Sequence, residues 1–222
     1  MVLFLLFDVE TTGLPLVYNA SYKQLENWPR IVQISWCICD STGNGDDVKN
    51  YIIKPINFTI PQESSNIHGI YHQEAVQYGH NVADVLLELK KDMNVCEYLV
   101  AHNLNFDKQV LLSELYRLND MDGISTVQNL KEVCTKEEST DFCKLRPYRY
   151  GTWKWPRLGE LYYTLCGESI DPLKAHNSKY DVEILKKCFI LMLNQGIIKK
   201  CNVSTLRNGK VYVKNNFDII IN

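Results

Sequence analysis

The sequence predicts an α/β protein in which helices cover the faces of a mixed sheet. The N-terminal quarter contains three apolar or β-branched runs joined by short connections, which is typical of an antiparallel meander. Strand and helix patterns then alternate as far as about residue 195, which indicates a sheet flanked by helices. The chain has 222 residues, of which 45% are hydrophobic and 23% charged, so it is long enough to bury a core of its own.

The meander is read from three runs. Residues 2–6 form an apolar run suited to a strand buried on both faces. β-branched and aromatic residues predict a second strand over 31–39. A Gly- and Asn-rich turn over 40–47 leads into a third strand over 48–53, which ends at Pro55. The short connections make these three strands neighbours in the sheet.

The middle of the chain alternates between helix and strand. Apolar spacing and cap signals predict strands over 98–101 and 127–134, and helices near 72–78, 82–93, 102–118, 157–166 and 177–196. The segment 135–155 has no apolar period and is rich in basic and aromatic residues, so we expect an irregular loop there. Pro156 and Gly167 mark the two ends of the helix after that loop.

The composition changes after Gly196. Two β-rich runs, 201–206 and 210–214, flank Asn208-Gly209, which is the strongest short hairpin signal. Residues 217–221 are expected to form one more strand. We therefore expect a main domain over 1–196 and a C-terminal β-hairpin arm over 197–222.

Charge and cysteine content restrict the classes of function. A net charge of -2 and a pI near 6.2 argue against a basic surface that coats a duplex, so nucleic acid would be held over a short local site. Eight cysteines lie mostly in apolar stretches without C-x-x-C spacing, which predicts reduced core thiols. The N-terminal apolar run is too short for a signal peptide or a membrane span. We expect an intracellular, cytoplasmic protein without a membrane partner, and a nuclear location stays open.

Two acidic residues follow the first apolar run. Because side chains alternate along a strand, Asp8 and Glu10 leave the same face two residues apart. Carboxylates this close repel each other, and a hard divalent cation between them is the usual solution. For this pair alone, two solvated acids at a strand end are the preferred explanation.

Further candidates lie at other element ends. Asp107 falls in the first turn of a helix that follows a strand, and His176 and Asp181 stand five residues apart at the start of the last helix. Taken separately, a helix-terminal histidine and solvated acids explain them. Taken with Asp8 and Glu10, they suit a site at which two Mg2+ or Mn2+ ions hold a phosphodiester.

Four motifs carry a family resemblance. They are Phe7-Asp8-x-Glu10-Thr11-Thr12-Gly13-Leu14, His68-Gly69-Ile70, Ala101-His102-Asn103-x-x-Phe106-Asp107 and Ala175-His176-Asn177-x-x-x-Asp181. In this order, over residues 1–195, they resemble the DEDDh subgroup of the DnaQ-like 3′-to-5′ exonucleases. The tract 134–162 also resembles a segment of proofreading and stand-alone DNA exonucleases in that family. The other large subgroup has tyrosine four residues before the last aspartate, where this chain has Asn177.

The resemblance implies a ribonuclease-H-like fold, with a mixed five-stranded sheet flanked by helices. It implies hydrolysis from the 3′ end of single-stranded nucleic acid, with DNA as the expected substrate, and release of nucleoside 5′-monophosphates. It makes His176 the general base and assigns the two metal ions to Asp8, Glu10, Asp107 and Asp181. Around the terminal nucleotides it places Thr11, Leu14, His68, Ile70 and Phe106.

Several alternatives stay open from the sequence. An exoribonuclease of the same subgroup would carry the same motifs. A non-catalytic module that binds ends or partners is a further alternative, although such modules normally lack a metal ligand and none is missing here. The basic and aromatic residues between 144 and 157 are either a track for the strand or a solvated loop. A polymerase or other protein partner and a homodimer are also open, and proofreading would require such a partner.

Overall fold

The computed structural model describes residues 2–146, 151–199 and 201, and the backbone of 205–207 and 210–212. In these ranges the strands are β1 Phe4–Thr11, β2 Ile31–Cys39, β3 Lys49–Ile52, β4 Tyr98–Ala101, β5 Lys131–Cys134, β6 Thr205–Arg207 and β7 Lys210–Tyr212. The helices are α1 Gln62–His68, α2 His72–Tyr78, α3 Val82–Met93, α4 Leu104–Arg117, α5 Met121–Asn129, α6 Thr135–Cys143, α7 Leu158–Cys166 and α8 Ser178–Asn194. None of the helices in this part of the chain has the length and apolar composition needed to cross a membrane.

The main sheet has five strands in the order β3-β2-β1-β4-β5. The pairs β1/β2 and β2/β3 are antiparallel, whereas β1/β4 and β4/β5 are parallel. The antiparallel part is the predicted meander. The parallel part is built by crossovers through helices, as parallel strands require. The predicted mixed sheet flanked by helices is therefore confirmed.

Strand β1 lies at the centre of the sheet and is covered on both faces. Leu5 and Phe7 pack into the cluster that α3, α4 and α5 form on one face. Phe4 and Leu6 pack into the cluster that α7 and α8 form on the other. All four side chains are fully buried, which accounts for an apolar run with no alternation.

Helices α1 and α6 were not predicted from the sequence. Helix α1 ends at Gly69, whose left-handed backbone (φ 75°) lets its N–H donate to the Ser65 carbonyl at 2.8 Å. Helix α6 occupies the first part of the predicted loop 135–155, and the Ser139 hydroxyl donates to the Thr135 carbonyl at 2.6 Å. Both helices bury small polar side chains, so neither carries the apolar stripe by which helices are detected.

The predicted strand over 127–134 is wrong in its first half. Residues 121–129 form α5, and only Lys131–Cys134 pairs with β4. Asp120 caps α5 by accepting a hydrogen bond of 2.9 Å from the Gly123 N–H. Ile124 and Val127 then face the core at helical spacing. Packing of these two side chains outweighs the β propensity of the run.

The C-terminal hairpin is present in the described backbone, since β6 and β7 pair antiparallel with Arg207 opposite Lys210. The strand expected over 217–221 lies outside the described residues. Ile198 and Cys201 are buried in the same cluster as α8. The boundary expected at residue 196 stays a prediction. Deletion from residue 197 would remove these buried side chains, whereas deletion from Asn202 would spare them.

The cysteines follow the expected pattern in the main. Cys37, Cys39 and Cys188 are buried, whereas Cys166 is exposed. Burial raises the pKa of the Cys37 thiol to about 11 and that of Cys39 to about 12, so both stay protonated at neutral pH. These thiols belong to the core.

A buried ion pair fastens the segment after β1 to helix α4. Glu114, 1% exposed, accepts from Arg30 Nε at 2.7 Å and from the Ile31 N–H at 3.2 Å. Arg117, one helical turn further on, donates to the carbonyls of Leu25 and Trp28 at 2.6 and 2.8 Å. The loop between β1 and β2 is therefore held at its C-terminal end.

Candidate active site

Strand β1 brings two carboxylates to the site. Asp8 and Glu10 lie on the face that α8 covers, and both are half-buried. They stand opposite Ser35 and Gln33 of β2, and the register shifts directly after Glu10. Such an irregularity ends regular pairing and reorients the strand end. The two acids therefore lie where the sheet opens.

The third carboxylate comes from the start of α4. Asn103 precedes the helix and has a left-handed backbone with φ of 82°. Asp107 lies in the first turn, is 3% exposed, and its Oδ1 accepts a hydrogen bond of 3.3 Å from the Val9 N–H. Because Val9 lies between the two acids of β1, this bond fixes Asp107 beside them.

The start of α8 contributes His176 and Asp181. His176 has a left-handed backbone with φ of 62°, and the next residue, Asn177, caps the helix by accepting from the Tyr180 N–H at 3.4 Å. One potential ligand atom from each of Glu10, His176 and Asp181 lies within 4.8 Å of the other two. The four acids and the histidine predicted from the sequence all line one cleft of about 370 Å3.

Polar residues behind α8 hold its first turn against the sheet. The Ser178 N–H donates to Gln33 Oε1 at 3.1 Å, and the Ser178 hydroxyl lies 2.7 Å from that of Ser35. Gln33 and Ser35 each donate to the side-chain carbonyl of Asn50 at 2.8 Å. Gln33, Ser35 and Ser178 are buried, so each depends on these partners. This network positions the turn that carries Asp181, and the sequence analysis did not predict it.

Burial raises the pKa of all four acids in the cleft, and repulsion between carboxylates adds to the rise at Asp8, Glu10 and Asp107. Burial is the largest cause at all four. At Asp8 the negative charges of the other three acids add to it and hold the pKa well above its ordinary value. Burial raises the pKa to about 9 at Glu10, about 8 at Asp107 and about 6 at Asp181. Hydrogen bonds from the backbone N–H groups of Val9 and His176 oppose the rise at Asp107 and Asp181.

This donor set fits a hard divalent cation. Carboxylate oxygens are the ligands that Mg2+ and Mn2+ prefer. A divalent charge among the acids would remove the repulsion that favours their protonated forms. Asp8, Glu10, Asp107, Asp181 and His176 are therefore the residues that could hold metal.

Apolar and aromatic side chains complete the cleft. Leu14, Tyr18, Phe106 and Leu158 line it beside the acids, and Leu14 is 71% exposed. Leu14 and Phe106 belong to the motifs that the sequence analysis identified. Leu158 lies in the tract 134–162, which also carries the resemblance. Tyr18 lies in none of these segments, and a tyrosine in an irregular proline-containing segment gives no periodic signal.

Three predicted substrate residues are not among the described residues that line this cleft. Thr11 is buried, and its hydroxyl donates to the Gly13 carbonyl at 2.7 Å. Ile70 is buried in a small apolar cluster. His68 lines a neighbouring cleft that it shares with His176, and its Nδ1 accepts from the Ile70 N–H at 3.1 Å. Contact of these three residues with substrate stays a prediction.

Comparison with protein families identifies the class of the chain. The family model RNase_T, described as exonuclease, matches residues 5–189. The chain therefore belongs to this exonuclease family, and the predicted DnaQ-like relationship is confirmed at that level. None of the curated proteins matches the sequence.

Solved structures of exonuclease I share the fold. The Escherichia coli enzyme in complex with a dT13 oligonucleotide is 20% identical, with a TM-score of 0.67, over 86% of this chain and 41% of that chain. The zinc-ion-bound form of the E. coli complex with single-stranded DNA is 20% identical, with a TM-score of 0.66, over 86% and 40%. Exonuclease I from Methylocaldum szegediense is 20% identical, with a TM-score of 0.62, over the same shares. The likeness shows the ribonuclease-H-like exonuclease fold, and this chain spans about two fifths of the length of those chains.

The raised pKa values predict how pH acts on the stability of the metal-free protein. An acid with a raised folded-state pKa keeps its proton in the folded protein after the unfolded chain has lost it, so the free energy of unfolding falls as pH rises. With Asp107 near 8 and Glu10 near 9, we expect the melting temperature in EDTA to fall between pH 6.5 and 8. Each acid that stays protonated contributes about 1.4 kcal/mol per pH unit.

Thermal melts of the parent and of Glu10→Gln measure this dependence. The variant lacks one of the titrating acids, so its melting temperature should fall less over the same window. Saturating Mg2+ or Mn2+ should flatten the curve of the parent, since metal replaces the protons. Equal slopes for the two proteins in EDTA would show that Glu10 does not have the raised pKa.

Proposed function

We propose that this chain is a metal-dependent 3′-to-5′ exonuclease of the DEDDh type that acts on single-stranded DNA and releases nucleoside 5′-monophosphates. The observation that carries the proposal is the approach of Glu10, His176 and Asp181 to within 4.8 Å. Asp8 and Asp107 lie in the same cleft. This set suits phosphodiester hydrolysis, the reaction of the exonuclease family to which the chain belongs.

In this proposal Asp8, Glu10, Asp107 and Asp181 would hold two Mg2+ or Mn2+ ions. When bound, the ions supply positive charge that acidifies water and neutralises the phosphodiester. The protein contributes a fixed arrangement of acids. The Val9–Asp107 hydrogen bond joins β1 to α4, and the bonds of Ser178 hold the start of α8.

His176 is the proposed general base. Its side chain is exposed at the mouth of the cleft, next to Glu10 and Asp181. A ring nitrogen of His176 takes the proton of the attacking water as the P–O bond to the 3′-oxygen breaks. The leaving 3′-oxygen takes a proton from solvent, and His176 returns its own proton to solvent. The left-handed backbone at His176 turns the chain into α8, which begins two residues later. His176 and Asp181 therefore lie in one short segment.

Leu14 and Phe106 are proposed to hold the terminal nucleotide. Both line the cleft beside the acids, and apolar contacts of this kind wedge bases without reading their sequence. DNA is favoured because the exonuclease I structures that share the fold contain single-stranded DNA or a dT13 oligonucleotide. An exoribonuclease is the alternative, and a comparison of dT12 with rU12 as substrate distinguishes the two.

The first test replaces one ligand. Asp8→Asn removes a negative charge from a proposed metal ligand, so cleavage should fall to background while the fold is retained. The measurement is release of mononucleotides from a 3′-labelled single-stranded DNA with Mg2+, and with EDTA as a blank. A 3′-phosphate on the strand should block release, whereas a 5′-phosphate should not.

Asp84→Asn is the matched control, because Asp84 is an exposed acid in the first turn of α3. It should keep the activity of the parent. Near-full activity in Asp8→Asn would remove Asp8 from the site, and cleavage of circular single strands, which have no 3′ end, would contradict degradation from a 3′ end.

The second test concerns the base. His176→Ala should lower kcat about 100- to 10,000-fold, because a general base is lost, while Mn2+ affinity changes little, because the four carboxylates remain. Turnover and Mn2+ titration are measured on the same preparation, with His80→Ala, an exposed histidine outside the cleft, as control. Weakened Mn2+ binding with normal turnover at saturating Mn2+ would make His176 a ligand instead of the base.

A further inference from the structure

Trp155 is an exposed aromatic side chain next to the cleft. It is 61% exposed, and Lys136 Nζ lies 4.1 Å from the centroid of its ring. The same Nζ lies 2.5 Å from Oδ1 of Asn103, which lines the cleft. Lys136 therefore connects the indole to the wall of the cleft.

The segment that carries Trp155 is held on both sides. The carbonyl of Pro156 accepts from His102 Nε2 at 3.0 Å. Burial lowers the pKa of His102 to about 4, so the ring is neutral and its single N–H points to this carbonyl. On the other side Lys154 pairs with Glu160, which also accepts from the Arg157 N–H at 2.8 Å. Trp155 is thus an exposed ring on a fixed support.

Among the described residues, Lys136 is a cation with no carboxylate in direct contact. It makes no ion pair among the residues that the structure describes, and its described partners are the Asn103 amide oxygen and the Trp155 ring. It lies close enough to Asp107 for the two charges to interact. A lysine held in this way can bind a phosphate that passes the mouth of the cleft.

We propose that Trp155 and Lys136 bind the nucleotide next to the 3′-terminal one. Its base stacks on the face of the indole that Lys136 leaves open, and Lys136 Nζ contacts its phosphate. This site rests on the proposed exonuclease function and extends it to a second nucleotide. Stacking on tryptophan accepts every base, so the site adds affinity without sequence preference.

The test compares a substrate that reaches the site with one that does not. A 12-nucleotide single-stranded DNA extends past Trp155, whereas the p-nitrophenyl ester of thymidine 5′-monophosphate has no second nucleotide. For Trp155→Ala we expect KM on the DNA to rise about 5- to 100-fold, with kcat and the rate on the ester within twofold of the parent. Trp155→Phe should recover most of the affinity, since it keeps an aromatic face.

Lys136→Met tests the phosphate contact. It should raise KM on the DNA and lower the slope of log affinity against log salt by about 0.7, the value for one phosphate of a single strand. The matched controls are Tyr78→Ala and Lys91→Met, an exposed aromatic and an exposed lysine that do not line the cleft. Both should behave as the parent.

Binding of fluorescent dT12 to Asp8→Asn, measured by anisotropy, separates this proposal from the proposed function. Weaker binding when Trp155→Ala is added supports the site even if the parent cleaves neither substrate, a result that would reject only the exonuclease activity. Unchanged KM and unchanged binding in Trp155→Ala overturn the site while cleavage by the parent stands. An equal loss on DNA and ester also overturns it, because Trp155 would then support the reacting centre.

Discussion

The crowding of four carboxylates in a partly buried cleft is the constraint on which the rest of the structure depends. Each acid has a raised pKa, so in the metal-free protein their charges oppose folding at neutral pH. The scaffold offsets this cost. The central strand β1 is covered on both faces, a backbone N–H of β1 binds Asp107, and a buried polar network holds α8. The crowded acids lower the free energy of unfolding, and the packed layers around the cleft raise it.

Much of the fold follows from apolar patterns. The uninterrupted run before Asp8 predicts a strand covered on both faces, and Phe4 to Phe7 are fully buried between two helical layers. The apolar spacing in α3 predicts its bounds because one face of this helix is buried in the core. Helices α1 and α6 could not be found in this way because they bury serine, threonine and histidine. A strand was predicted over the whole run 127–134 because of its branched residues. The first part of this run belongs to helix α5, and only the last part forms strand β5.

The site residues that lie in sequence motifs could be predicted. The residues that reach the site through long-range contacts could not. Asp8 and Glu10, and likewise His176 and Asp181, are local pairs whose spacing can be read directly. The bond between Ser178 and Gln33 joins residues 145 positions apart, and no local pattern encodes it. A glutamine and a serine inside the otherwise apolar β2 were the available signal, since buried polar groups require partners. Trp155 is one of the aromatic residues of the candidate track between 144 and 157, and the structure adds its contact with Lys136, which also binds Asn103.

The central claim is that acids of the cleft, Glu10 and Asp107 in particular, hold protons at neutral pH until divalent metal replaces them. Calorimetric titration of the metal-free protein with Mn2+ at pH 7, repeated in two buffers of different ionisation enthalpy, gives both the number of ions and the number of protons released. We expect two Mn2+ ions per chain with net release of protons, and loss of at least one ion in Asp8→Asn. Binding of two ions without proton release, or no binding at all, would contradict the account.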